Sequence, residues 1–263
     1  MTIFVRPLFG SQKLHHLMEF IAFYLVNGFS RIIFYTFNAN EAQFLRSIKG
    51  VEVVEYRIPK SLIDHVHSGG QLGAIHHFWL SNIDNEQLLV DLDEFLFVRN
   101  IANNRMILFN SWIDINFRYF KKSYSSLNFR NQLFCSEFKG NSNSNILENK
   151  IAVKRYFPFN DRSKIFILKP RDIKMLQIHQ INSFSSKNAT NLNVPFQMGA
   201  IHHYRKCNSL YFSNIFTYVK AINYERYVNH DFDELTNIYF VREKINKLVN
   251  EMIFNLNKTQ ICC

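Results

Sequence analysis

The spacing of apolar and polar positions changes along the chain, and the change divides it in two. Residues 2–6 form a short apolar run that reads as a strand. Over residues 12–27 the apolar side chains Leu14, Leu17, Met18, Ile21 and Leu25 fall near helical spacing, and Asn27-Gly28 supplies a helix stop. Residues 31–37 are β-branched and aromatic, which predicts a buried strand. A helix over 39–49, closed by Gly50, a strand over 51–57, and a helix over 71–82 behind a Gly69-Gly70 turn follow. A fourth strand over 87–92 runs into Asp91-Leu92-Asp93-Glu94. Regular alternation of strand and helix predicts a parallel sheet with helices on both faces and a ligand site beyond the carboxyl ends of its strands.

The second half reads differently. Residues 111–120 and 126–138 alternate aromatic and polar side chains and are expected as antiparallel strands. Residues 140–149 are an Asn/Ser/Gly loop and a candidate lid. A strand over 164–169 ends at Pro170, a short helix is expected over 171–178, a polar loop over 183–194, a strand over 199–204 and an amphipathic helix over 234–256. The expected fold class is therefore α/β: a mostly parallel, Rossmann-type sheet in the N-terminal half and a mixed or antiparallel C-terminal half. Residues 1–263 read as a single domain whose halves are 1–100 and 101–263.

Composition narrows the function classes. Gly (8) and Pro (5) are scarce, which argues against long disordered linkers. The formal net charge of +10 would attract nucleic acid, acidic glycans, anionic membranes or a diphosphate. The basic residues are scattered among Phe, Tyr and Asn without a recognisable nucleic-acid-binding motif, so no nucleic-acid partner is expected. Cys135, Cys207, Cys262 and Cys263 lack the CxxC spacing of a zinc site, although Cys135 and Cys207 are able to pair in an oxidising compartment. No stretch is apolar for long enough to span a bilayer, and the N-terminus lacks the basic-then-apolar pattern of a signal peptide.

The chemistry concentrates at Asp91-Leu92-Asp93-Glu94. On an extended strand Asp91 and Asp93 would face the same way. Two carboxylates placed together repel unless a cation lies between them, and Mg²⁺ or Mn²⁺ suits such oxygen ligands while keeping other positions for water or substrate phosphates. The bland alternative is a solvated acidic turn. The apolar segments on both sides, Leu88-Leu89-Val90 and Phe95-Leu96-Phe97, weigh against it, because acids between buried segments need compensation.

These residues belong to an ordered series of motifs: Pro7-Leu8-Phe9-Gly10; Leu17-Met18-Glu19-Phe20-Ile21 with Asn27-Gly28-Phe29; Phe34-Tyr35; Gly70-Gln71-Leu72 with Ala74-Ile75; Asp91-Leu92-Asp93-Glu94-Phe95; Arg162-Ser163-Lys164-Ile165-Phe166-Ile167, Lys169-Pro170 and His179; and His203-Tyr204-Arg205. The series resembles the family 92 glycosyltransferases, which have a GT-A-type fold. The resemblance implies transfer of galactose from UDP-galactose, with inversion, onto a glycan acceptor. Residues 1–100 would be the nucleotide-binding half and 101–263 the acceptor side. Asp91 and Asp93 would hold Mn²⁺ (or Mg²⁺) on the UDP-sugar, with His203 or His179 as a further ligand. Gln71, Lys164 and Arg205 would contact the nucleotide sugar, Lys164 and Arg205 through phosphate oxygens. An inverting transfer needs a carboxylate base, for which Glu94, Asp161 and Glu137 are the candidates. The resemblance also implies a Golgi or secretory-membrane location, through an anchor not present in these residues; Asn188-Ala189-Thr190 and Asn257-Lys258-Thr259 are sequons that fit it. The oligomeric state is open.

One departure stands out. After Ala74-Ile75 the family usually carries Asn-Asp-Cys, and this chain has His76-His77-Phe78. Adjacent helical residues point about 100° apart, so the two histidines are not expected to share an ion. The departure keeps open an alternative: a pseudoenzyme that binds a glycan or nucleotide sugar without turnover.

Overall fold

The structure, a computed structural model, describes residues 1–8, 13–57, 69–100, 102–103, 105–136, 153–155, 159–206 and 243–253. Its N-terminal half follows the alternating pattern. Strands β1 (Thr2–Leu8), β2 (Arg31–Thr36), β3 (Val51–Glu55) and β4 (Gln87–Val90) alternate with helices α1 (Leu14–Val26), α2 (Ala39–Arg46) and α3 (Gly69–Ser81). The four strands are parallel in the order β3-β2-β1-β4.

The remaining strands are β5 (Glu94–Asn100), β6 (Arg105–Ile107), β7 (Ser126–Ser136), β8 (Val153–Arg155), β9 (Phe159–Ile167), β10 (Ile173–Leu176), β11 (Ile181–Phe184), β12 (Asn191–Asn193) and β13 (Gly199–Lys206). They extend the same sheet to β3-β2-β1-β4-β9-β7-β13-β5-β6, with β8 and β12 also on β7; β10 and β11 form a separate hairpin. Strand β9 is antiparallel to β4 and β7, and β13 is parallel to β7 but antiparallel to β5. The second half is thus mixed, and it joins the first through one continuous sheet.

The pleat sorts the core into two sides. Ile3, Val5, Ile32, Phe34, Leu88, Val90, Leu127, Phe129, Phe166 and Ile201 pack with α1 and with α4 (Phe109–Ser123), and Ile245 and Met252 of the helical residues 243–253 join them. The alternate residues Phe4, Ile33, Tyr35, Leu89, Ile165 and Ile167 pack under α3 and the β10–β11 hairpin. This period-two division explains why the strands read as near-continuous apolar runs: both faces are covered.

Polar residues with fixed duties hold the helix ends. Asn38 caps α2, its Oδ1 accepting from the backbone N–H of Asn40 and Glu41. Asn27 ends α1 and its Oδ1 accepts the N–H of Phe109 at 3.0 Å, so one side chain ties the end of α1 to the start of α4. Gly28 follows at φ +90°, where its bare Cα admits Asn110. The buried Gln87 donates to the Trp79 and Asn82 carbonyls at the end of α3.

Three sequence expectations need correction. Residues 111–120 lie in helix α4, not a strand. Phe109, Trp112, Ile113 and Phe120 are buried at helical spacing, whereas Ile115 and Tyr119, which suggest alternation, are 66% and 62% exposed. Residues 171–178 are not a helix: a single 3₁₀ turn at Pro170–Asp172 leads directly into β10. The polar stretch 183–194 contains the end of β11 and all of β12, which pairs with β7. Of the expected helix 234–256, residues 243–253 are described and helical. The candidate lid 140–149 lies outside the described residues.

Candidate active site

The fourth strand stops at Val90, so Asp91 and Asp93 are not alternate residues of a strand. Asp91 to Glu94 form a turn closed by the Glu94 N–H donating to the Asp91 carbonyl at 3.1 Å, and β5 begins at Glu94. The turn lies at the carboxyl end of β4, where parallel sheets bind their ligands. It is pinned from two sides. The Tyr24 hydroxyl of α1 donates to the Glu94 carbonyl at 2.9 Å, and the Tyr204 N–H of β13 donates to the Asp93 carbonyl at 2.8 Å.

The side chains form a cluster centred on Glu94, which is 1% exposed. Its Oε2 accepts from Lys164 Nζ at 2.9 Å and from the Asp91 N–H at 2.8 Å; its Oε1 accepts from Asn131 Nδ2 at 3.0 Å. Lys164 Nζ also pairs with Asp91 Oδ2 at 3.2 Å. His203 Nε2 lies 3.1 Å from Asp93 Oδ2, and its Nδ1 lies 3.5 Å from Glu94 Oε1. Lys164, Asn131 and His203 belong to the neighbouring strands β9, β7 and β13. Each shares sheet-face parity with an apolar core residue of its strand, namely Phe166, Phe129 and Ile201. A polar row thus continues the apolar face of the sheet up to the acidic turn.

Electrostatics follow from this crowding. Burial, reinforced by Asp91 and Asp93, outweighs Lys164 and His203 and raises the Glu94 carboxyl above the ordinary range. Burial alone would lower Lys164, but Asp91 and Glu94 outweigh it and hold the ammonium charged. The two directions agree: Asp91 and Glu94 share the Lys164 ammonium, and Glu94 is the deeper of the two. For His203 burial again pulls down, and Asp93, then Glu94 and Asp91, turn the shift upward. The cluster thus combines three carboxylates with one ammonium and one imidazole. Asp93 is the exposed member, at 37%. Carboxylate oxygens fit a hard divalent cation. Among the described residues no three His, Cys, Asp or Glu side chains converge as the ligands of one ion.

The structure brings Asp91, Asp93, Glu94, Lys164 and His203 together, and it adds Asn131, which sequence reasoning missed. Gln71 is buried in the first turn of α3, beside Gly70, whose carbonyl accepts the Tyr56 hydroxyl at 2.7 Å at the same end of the sheet. His179 packs against Ser163, one residue from Lys164, with its Nδ1 3.3 Å from the Ser163 carbonyl oxygen. His76 and His77 diverge as expected: His76 Nε2 is 3.0 Å from the Leu176 carbonyl, and His77 Nδ1 is 2.6 Å from the Tyr35 hydroxyl. Asp161 and Arg205 lie on β9 and β13, but their side chains, like Glu137 as a whole, fall outside the described residues. The Cys135 side chain and Cys207 fall outside as well.

An acidic turn beyond the parallel strands of an α/β sheet lies where such sheets bind their ligands. Comparison with known proteins gives the class its name. The model of glycosyltransferase family 92 matches residues 1–253, and the chain belongs to that family. It is a transferase that acts on sugars, with a sugar donor and an acceptor as substrates. A search of curated proteins finds no match. Among solved structures the chain is similar to HddC from Yersinia pseudotuberculosis, at 10% identity over 78% of this chain and 89% of that one, with a TM-score of 0.37.

Proposed function

We propose that the protein moves galactose from UDP-galactose onto a glycan acceptor, with inversion, using a divalent cation at Asp91 and Asp93. The observation that carries this reading is the clustering of Asp91, Asp93 and Glu94 in a turn at the carboxyl end of β4, with Asp93 at its open side. Asp93 offers its carboxylate at the solvent-facing rim, and Asp91 stands behind it, held by Lys164. A bound Mn²⁺ or Mg²⁺ would supply Lewis acidity to the departing diphosphate. The half-buried rings of Phe37 and Tyr56, 5.6 Å apart beyond β2 and β3, offer a stacking surface for a base.

Lys164 serves this site from within. At 2% exposure, and paired to two carboxylates, it sets the charge and posture of the turn instead of reaching a phosphate. Glu94 has both oxygens engaged and supports the turn, which leaves Asp161 and Glu137 as the stronger candidates for the base. Membership of the family suggests the secretory pathway as its compartment. Among the described residues no helix is long and apolar enough to cross a membrane.

Calorimetry of UDP binding tests the reading. Binding should require Mn²⁺, vanish with chelator, and fall at least tenfold in Asp93→Ala. Equal binding with chelator present would overturn the cation site. Cation-dependent binding without transfer from any UDP-sugar to a glycan would favour the pseudoenzyme.

A further inference from the structure

The sequon Asn188-Ala189-Thr190 plays no part in the proposed transfer, and the fold places it on a tight surface turn after β11. The Ser186 hydroxyl accepts the Asn188 N–H at 3.2 Å, and the Ser186 carbonyl accepts the Ala189 N–H at 3.2 Å. Both bonds use the backbone. Ser185, Ser186, Lys187, Asn188 and Thr190 are all exposed, and among the described residues no hydrogen bond holds the Asn188 carboxamide. Thr190 anchors the turn. Its hydroxyl donates to the Ser123 carbonyl at the end of α4 at 2.8 Å, and its carbonyl accepts the Ser125 N–H at 2.8 Å. The next residue, Asn191, pairs with Ser126 of β7; Ser126 pairs with Ile167 of β9, and Ile167 pairs with Gln87, the first residue of β4. The turn therefore lies at the end of the sheet where β4 begins, whereas the acidic turn follows its last residue, Val90. Along β7, Asn131 at the acidic turn is five positions beyond Ser126 (126 to 131), about 16 Å at the rise of a strand.

We propose that Asn188 is an N-glycosylation site, which takes a preassembled oligosaccharide from a lipid diphosphate carrier. An acceptor Asn needs Ser or Thr two residues on and no Pro between, and Ala189 and Thr190 satisfy both conditions. In the transfer the carboxamide nitrogen loses one proton and bonds to C1 of the reducing-end sugar. The bond from C1 to the diphosphate oxygen breaks, and the lipid diphosphate leaves with its electron pair and takes up a proton. A glycan is bulky and solubilising, so it belongs on an exposed turn. At Asn188 it stands at the opposite end of the sheet from Asp93 and leaves the donor site open. The assignment rests on the secretory compartment of the proposed function, but not on the identity of the donor or the cation.

The test is site-resolved mass spectrometry of the full chain, delivered to a eukaryotic secretory lumen by an added cleavable signal and carrying a reporter sequon in an appended tail. Only molecules whose tail bears a glycan are analysed, so every molecule counted has met the glycosylation machinery. Peptide N-glycosidase in ¹⁸O water converts a glycosylated Asn to labelled Asp and so marks the site. Position 188 should be recovered mainly as labelled Asp, and Asn188→Gln should migrate as a species one glycan smaller. An unlabelled Asn188 in tail-glycosylated molecules would overturn the proposal. Asn188→Gln is the informative variant, because Thr190→Ala would also release the turn from Ser123. Cation-dependent UDP binding should be equal in the glycosylated protein and in Asn188→Gln; weaker binding with the glycan present would overturn its placement away from the donor site. If Asn188 is occupied but no UDP-sugar binds, the transferase reading fails and the modification site stands.

Discussion

Replacing Lys164 by Met tests whether the acidic turn stands on a buried cation. The methionine keeps the length and apolar stem of the side chain but removes the ammonium that pairs with Glu94 at 2.9 Å and Asp91 at 3.2 Å. At an effective dielectric near 20, each contact represents about 5–6 kcal/mol of gross attraction, set against a desolvation cost of several kcal/mol per ion. What remains after removal is an uncompensated carboxylate pair, with Glu94 fully buried, and breaking such a pair costs about 3–5 kcal/mol. The cost should depend on pH. The folded-state pKa of Glu94 lies above its unfolded value, so the folded state binds the proton more tightly. Stability is then greatest below the ordinary carboxylate range and is lost as pH rises through the raised folded value. Without Lys164 that folded value moves higher, so the deficit of the variant should grow as pH rises above the ordinary range and shrink in acid. Urea denaturation of both proteins across that window is the assay. A deficit below about 1 kcal/mol, or one independent of pH, would refute the idea that Lys164 neutralises Glu94.

Two further changes probe how the turn is supported. Tyr24→Phe removes the hydroxyl that donates to the Glu94 carbonyl and should cost about 1–3 kcal/mol in a denaturant titration, the penalty of an unmet buried acceptor; a null result would place water there instead. Gly28→Ala puts a Cβ 2.6 Å from Asn110 Cβ at a φ of +90°, and should lower stability by about 2–4 kcal/mol in the same measurement; a neutral outcome would mean that the α1–α4 junction relaxes freely.

The parallel half was legible in the sequence because its signals are local. Residues 31–37 read as a buried strand and 51–57 as a strand by composition, and Asn27-Gly28 reads as a helix stop. Where local signals mislead, tertiary packing decided. Ile113, Ile115, Phe117 and Tyr119 look like alternation over a short window, yet the buried set Phe109, Trp112, Ile113 and Phe120 fits only a helix. Of the acidic motif, the sequence showed the carboxylates but not their arrangement, because a turn and a strand end differ by one backbone hydrogen bond, from Glu94 to Asp91. Asn131 was missed because Asn is abundant and β7 alternates without regard to it. A signal was present nonetheless: the row Leu127, Phe129, Asn131 breaks its apolar series at one residue, as do Phe166 to Lys164 and Ile201 to His203.

Those three breaks explain why so costly a group as Glu94 is tolerated in the core. A lone buried carboxylate would protonate or pull the turn toward water. Here each of three adjacent strands contributes one polar group, and each group serves two acids or one acid and its neighbour. Lys164 serves Asp91 and Glu94, Asn131 reaches Glu94 and His203, and His203 reaches Asp93. Removing any one of the three leaves another without its partner, so the orientation of Asp93 at the rim depends on residues that touch no ligand. The buried network thus acts as the scaffold of the site, and the exposed Asp93 is the part of it that meets substrate in the proposed transfer. Substitutions at Lys164 or Asn131 should therefore weaken cation-dependent UDP binding through the posture of Asp93, even though neither residue faces the donor.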